Sequence, residues 1–268
     1  MFAKVAREAS GVSRLMEDAV QPARRAARLD QLLVTRGLAA TRSRARDLIL
    51  RGAVSVDGKT IVKPAAAIET TASLSVTAEA GDVSRGAVKL RAALTAFEFD
   101  PVGKICLDVG ASTGGFTQAL LAAGAVKVYA VDVGHGQLAA ALVGDERVVS
   151  LEGIDARALT PAHFPGRAGA IVADVSFISL TKALAVPLSF AAPGAWLAAL
   201  IKPQFEAGRE GIGKGGIVRA DDVREAAVES VRSWVAAQPG WTVCGVVPSP
   251  IAGGSGNQEF LLGARFHD

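Results

Sequence analysis

The sequence is poor in the residue types that staple or metallate a fold. Among 268 residues there are two cysteines, three histidines, one tyrosine and two methionines, and aromatics make up 5%. Cys106 and Cys244 sit singly in apolar runs, which leaves neither a disulfide framework nor a cysteine-built zinc site. His135, His163 and His267 are far apart with no metal-ligand spacing, so no metal is expected. A reducing, cytoplasmic setting fits this cysteine usage. Residues 1–20 lack an apolar leader core and carry Glu8, Glu17 and Asp18, which argues against a secretory signal. Residues 183–201 form a run of 19 uncharged positions, but Pro187 and the Pro193–Gly194 pair interrupt it. It reads as a buried helix, a turn and a strand over 195–201, and no membrane partner is expected.

What is abundant is small and apolar. Half of the residues are hydrophobic and 29 are glycine, enough for one large domain and a small one, each with its own core. Charge divides between them. Residues 1–63 hold 13 Lys/Arg against 6 Asp/Glu, whereas the rest of the chain is mildly acidic. A small basic module beside an acidic body points to a polyanionic partner for the module.

Residues 1–27 show no sustained apolar period and read as a flexible tail. From Arg28 onward, Leu29, Leu32 and Leu33 form one helical stripe that Gly37 ends. Thr41 suits the cap of a second helix, with Ala45, Leu48 and Ile49 on its apolar side and Arg42, Arg44 and Arg46 riding on it. Val54-Ser55-Val56, Asp57-Gly58 and Lys59-Thr60-Ile61-Val62 predict a hairpin with a type I′ turn, and a last strand falls near 73–77. In this order, residues 28–77 resemble the small α+β RNA-binding fold named for ribosomal protein S4. The resemblance implies that Arg28, Arg42, Ser43, Arg44, Arg46, Lys59 and Lys63 meet RNA. Guanidinium forks and a helix N-terminus suit phosphates, and they supply affinity and salt dependence more than base identity.

After a linker over 78–88, strand and helix signals alternate. Strands are expected at 104–109, 127–131, 148–151, 170–173 and 195–201, and a helix over 221–237 precedes two adjacent strands at 241–247 and 259–266. This is a doubly wound, Rossmann-like α/β sheet over residues 89–268. The first strand ends in Asp108 and runs into Gly110-Ala111-Ser112-Thr113-Gly114-Gly115. A dinucleotide fingerprint wants glycine where Ser112 stands, and an acid beside the loop repels a pyrophosphate while suiting an ammonium. Asp132 ends the next strand, 24 positions on, where an acid accepts ribose hydroxyls. The pattern resembles the S-adenosylmethionine site of class I methyltransferases. It implies S-adenosylmethionine as cofactor, bound by Asp108, Gly110, Ala111, Ser112, Thr113, Gly114, Gly115, Phe116, Asp132, Val133, Asp155 and Asp174.

Four separated residues complete a pattern. Asp174 and Lys202 both follow apolar strands, which places them at the carboxyl rim where such sheets bind ligands. A lysine there needs an acidic neighbour, Asp174 or Glu259. Lys89, Asp174, Lys202 and Glu259 together resemble the catalytic tetrad of FtsJ-like RNA ribose 2′-O-methyltransferases. The strings SRGAVKL, DVGASTGGFT, DVGHGQL, ADVSFISL, IKPQFE and SGNQEF resemble the TlyA haemolysin/rRNA 2′-O-methyltransferase family, although Ala87 stands where some members carry a second glycine. The resemblance implies methylation of a cytidine in large-subunit (23S) rRNA, with small-subunit (16S) rRNA as a second candidate, and ribosomal RNA or subunits as partners. A monomer is compatible with this reading. Lys202 is the expected group to receive the 2′-hydroxyl proton or to stabilise the alkoxide. Phe177 and Phe205 are candidates to stack on a base. The alternatives are a non-catalytic ribosome-assembly factor, against which the complete tetrad speaks, and a cytolytic protein, for which no amphipathic pore segment is present.

Overall fold

The computed structural model describes residues 26–39, 41–50, 52–76, 82–208, 211–213, 215–253 and 256–267. The expected tail up to residue 25 and the linker residues 78–81 lie outside them. The N-terminal unit runs β1 (Ala26–Arg28), α1 (Leu29–Thr35), α2 (Arg42–Leu50), β2 (Val54–Val56), β3 (Lys59–Thr60), β4 (Ala67–Glu69) and β5 (Leu74–Val76). Leu29, Leu32, Leu33, Ala45, Leu48 and Ile49 are all buried, as the two apolar stripes require. Thr41 Oγ1 accepts the Arg44 backbone N–H at 3.1 Å and caps α2. Asp57 and Gly58 have φ of +48° and +76°, the paired left-handed residues of a type I′ turn. Arg28 belongs to a short antiparallel β1–β4 ladder, which local periodicity does not reveal because its partner lies about forty residues away.

The larger unit runs α3 (Gly86–Ala96), β6 (Ile105–Val109), α4 (Gly115–Ala122), β7 (Lys127–Asp132), α5 (Ala140–Val143), β8 (Val148–Glu152), β9 (Ala168–Ala173), α6 (Leu180–Ala183), β10 (Ala191–Ile201), α7 (Pro203–Glu206), α8 (Asp221–Ala236), β11 (Trp241–Pro248) and β12 (Phe260–Phe266). Helix α3 therefore starts within the segment expected to be linker. The seven strands are ordered β11-β12-β10-β9-β6-β7-β8, with β6 to β10 parallel and β12 antiparallel to both neighbours. Because the chain winds from β6 toward β8 and then returns to the other side with β9, a crevice opens at the carboxyl ends of β6 and β9.

The long uncharged run is explained by β10. Its residues Ala195–Ile201 are buried on both faces, between β9 and β12, so no polar alternation is needed. Pro193 and Gly194 do not precede this strand as a separating turn. They lie inside it, where the register with β9 shifts between Ala191 and Trp196. Trp196 stacks on Phe99 with ring centroids 4.8 Å apart, and its indole N–H donates to the Asp100 carbonyl at 3.2 Å. Each large apolar side chain fully buried in this way contributes about 1.5–3 kcal/mol.

Candidate active site

The glycine loop is held from two sides. Gly110 and Ala111 donate their backbone N–H groups to the Val131 carbonyl at 2.8 and 3.1 Å. Asp132, at the end of β7, accepts from the Ser112 N–H at 2.9 Å and from the Gly134 N–H at 2.7 Å. Gly110 has φ +82° and packs against the backbone of Asp174, which only a residue without a Cβ can do. The loop delivers the N-terminus of α4 to a cavity of about 170 Å3 at the β6–β9 crevice. Gly110, Ala111, Ser112, Thr113, Gly115 and Phe116 line it, so the glycine loop and the first turn of α4 form its floor.

Asp108 lies beneath this floor and is fully buried. Thr117 Oγ1 donates to its Oδ2 at 2.6 Å, while Oδ1 has no hydrogen-bond partner. Burial pushes its carboxyl up to about 7, against the Thr117 bond and with help from Asp174 and Asp132. Asp108, like Asp132, is not among the residues that line the cavity.

At the opposite wall, Lys202 Nζ lies 2.6 Å from Asp174 Oδ1 and donates to Ser176 Oγ at 2.9 Å. Both residues immediately follow neighbouring parallel strands, β9 and β10. Glu259 immediately precedes β12, and β12 runs antiparallel to β10 with Ile201 opposite Phe260. Its N-terminal end therefore reaches the same rim. There Glu259 Oε2 accepts from Lys89 Nζ, in the first turn of α3, at 2.5 Å. Lys89 and Glu259 are both buried. Burial pushes the Asp174 carboxyl up, but Lys202 and then Lys89 outweigh it and hold the group below its ordinary range. Lys89, Asp174 and Lys202 all line the cavity, with Glu259 behind Lys89.

The other expected positions divide. Val133 is 68% exposed beside Asp132, presenting apolar surface at the end of β7. Asp155 does not line the cavity; its carboxylate pairs with Arg157 at 2.6 Å and caps the turn that follows. The acid that ends β8 is Glu152, which accepts the Gly136, Gln137 and Leu138 N–H groups at 2.9, 2.7 and 3.1 Å. The strand-end rule that singles out Asp132 also reaches Glu152. Gln137, within the DVGHGQL string and held by Ser112 Oγ at 3.2 Å, is a lining residue that was not among the expected site residues. Phe177 is 92% exposed with φ +66°, and its ring lies 5.1 Å from that of Phe205.

Of the residues expected to meet RNA, Ser43 and Arg44 line the same cavity. Arg44 donates to the Val83 carbonyl and lies 3.5 Å from Asp47, so it ties the small unit to the entrance of α3. Arg85 adds a second tie, 3.7 Å from Asp47. Arg28 and Arg42 both reach the buried Asp30, at 2.9 and 3.2 Å. Arg46, Lys59 and Lys63 are exposed.

A family model described as FtsJ-like methyltransferase matches residues 83–266, and one described as S4 domain matches residues 27–70. The chain belongs to the FtsJ-like methyltransferase family. The FtsJ-like match contains the glycine loop and all four rim residues. The chain is 48% identical over 243 residues to the 16S/23S rRNA (cytidine-2′-O)-methyltransferase TlyA of Mycobacterium tuberculosis, covering 90% of each. It is 42% identical to Hemolysin A of Brachyspira hyodysenteriae, covering 87% of this chain and 98% of that one. A solved structure named as a hemolysin, from Streptococcus thermophilus, superposes with a TM-score of 0.71 at 41% identity and covers 92% of this chain and 90% of that one. Among the described residues of this FtsJ-like chain, no helix is long and apolar enough to cross a membrane.

Proposed function

We propose that this chain is an S-adenosylmethionine-dependent ribose 2′-O-methyltransferase acting on a cytidine of ribosomal RNA, large-subunit RNA first, with the S4 unit supplying RNA affinity. The observation that carries this reading is the Asp174–Lys202 pair, 2.6 Å apart on the rim that faces the glycine loop, with the Lys89–Glu259 pair beside it. The name of the Mycobacterium tuberculosis relative supports the substrate class.

The cavity fits the cofactor by its donor set. Gly110 keeps the loop at the cavity floor close against the Asp174 backbone, and the N-terminus of α4 suits a carboxylate. Asp132 stands where a ribose binds, with the exposed Val133 against the flat base. When bound, S-adenosylmethionine supplies an electrophilic methyl group that needs alignment more than further activation. The residues of the chain then act on the RNA. Lys202 Nζ, fixed between Asp174 and Ser176, stabilises the charge that develops on the 2′-oxygen as its proton passes to water. Lys89, kept in place by Glu259, adds to Lys202 in keeping Asp174 ionised. The exposed Phe177 ring offers a face on which the target base stacks.

The deciding experiment incubates ribosomal subunits with methyl-labelled S-adenosylmethionine and maps alkali-resistant ribose sites. Lys202→Ala is expected to abolish labelling while cofactor affinity stays within about three-fold, as for a group acting in the transition state. Label on bases, or none with the wild-type chain on either subunit, overturns the reading.

A further inference from the structure

Two segments that the chemistry uses only in part meet each other. The segment after β9 provides Asp174 and Ser176, then runs through Phe177 and Ser179 into α6. The segment after β10 provides Lys202, then runs through Phe205 to Glu206 at the end of α7. Glu206 reaches across: its Oε2 accepts from Ser179 Oγ at 2.6 Å, and its Oε1 accepts the Leu180 backbone N–H at 2.8 Å. Ser179 is the N-cap of α6, and its Oγ also accepts the Thr181 N–H at 3.2 Å.

Neither segment is rigid by itself. Helices α6 and α7 have four residues each, too few to stand without outside contacts. Phe177 adopts a left-handed conformation that an aromatic residue keeps only where its surroundings impose it. The segments join at three places: Lys202 to Asp174 and Ser176, Phe177 against Phe205, and Glu206 on Ser179 and Leu180. The first two joints are made by groups that face substrate. Glu206 is the third, and it does not line the cavity.

We propose that Glu206 is a positioning residue: its carboxylate clamps the Asp174–Leu180 segment to the Lys202–Glu206 segment and so sets the Asp174–Lys202–Ser176 geometry. The proposal rests on the ribose-methyltransferase reading and deepens it. A displacement of about 1 Å in such a constellation is enough to cost about 100-fold in rate, although no substrate contact is removed. Glu206→Gln keeps an acceptor for the Leu180 N–H and a polar partner for Ser179, whereas Glu206→Ala loses both joints.

The test compares full-length wild type, Glu206→Ala, Glu206→Gln and Ser179→Ala for methyl transfer to ribosomal RNA, with kcat and KM separated. Amide hydrogen exchange over residues 174–180 is followed in parallel. Glu206→Ala is expected to lower kcat about 10- to 100-fold with KM for cofactor and RNA within about two-fold, and to speed exchange at Leu180. Glu206→Gln is expected to recover most of kcat, and Ser179→Ala to fall between them. A Glu206→Ala kcat within about two-fold of wild type overturns the proposal, as does a cofactor KM that rises in step with the fall in kcat. If Glu206→Ala does not fold, an undiminished kcat in Ser179→Ala has the same effect. A wild type that methylates no ribose refutes the functional reading, while the exchange rate at Leu180 still reports on the clamp.

Discussion

A Cβ built on Gly110 would lie 2.7 Å from the carbonyl oxygen of Asp174. The glycine loop and the Asp174–Lys202 rim therefore touch through bare backbone, and Gly110 also holds φ +82°. Gly110→Ala combines a clash with a strained backbone and moves Asp174 away from Lys202. Expected is a loss of about 1–3 kcal/mol in unfolding free energy and of at least about ten-fold in S-adenosylmethionine affinity. Denaturant titration and calorimetry check both.

Asp108 makes stability depend on pH in an unusual direction. Burial raises its carboxyl to about 7, well above the 3.8 of a free aspartate. The native state thus binds this proton more tightly than the unfolded chain does. The resulting stabilisation is complete below about pH 4 and is lost as pH rises through about 7. Between about pH 5 and pH 8, Asp108→Asn is expected to gain about 2–3 kcal/mol relative to wild type. Parallel stability curves for the two proteins in urea would contradict this.

The Lys89–Glu259 pair is buried, and buried pairs are costly to break from one side. Lys89→Met leaves a lone carboxylate, with an expected cost of about 3–5 kcal/mol. Lys89→Met with Glu259→Leu is expected to recover most of that stability while methyl transfer stays lost. A double-mutant cycle in stability and rate separates the two roles; an active double variant would remove both residues from the mechanism.

Arg44 and the exposed cations differ in role. Replacing Arg46, Lys59 and Lys63 together by alanine is expected to reduce the slope of log K for RNA against log salt by about two to three, one increment per lost phosphate contact. Arg44→Ala, which removes ties to Val83 and Asp47, is expected to lower methyl transfer more than its share of that slope. Filter binding across a salt series and the methylation assay measure the two quantities.

The sequence carries the parts of the site that depend on local order. The Asp57–Gly58 turn, the strand-end acids and the glycine loop are legible because backbone sterics and strand polarity act over a few residues. Lys202 was legible because a charge directly after a buried strand requires a partner. Contacts between distant segments were not. Nothing near Arg44 shows that it is spent on Val83, and nothing near Glu206 points to Ser179. Asp155 and Glu152 are three positions apart, and only the length of β8 decides which acid stands at the strand end. Pro193–Gly194 resembles a turn locally, yet the sheet absorbs the pair as a register shift.

Strand β12 enters the sheet between β10 and β11, and Glu259 sits at its threshold. The Lys89–Glu259 pair thus bolts the opening helix of the larger unit to a strand 170 positions further along the sequence.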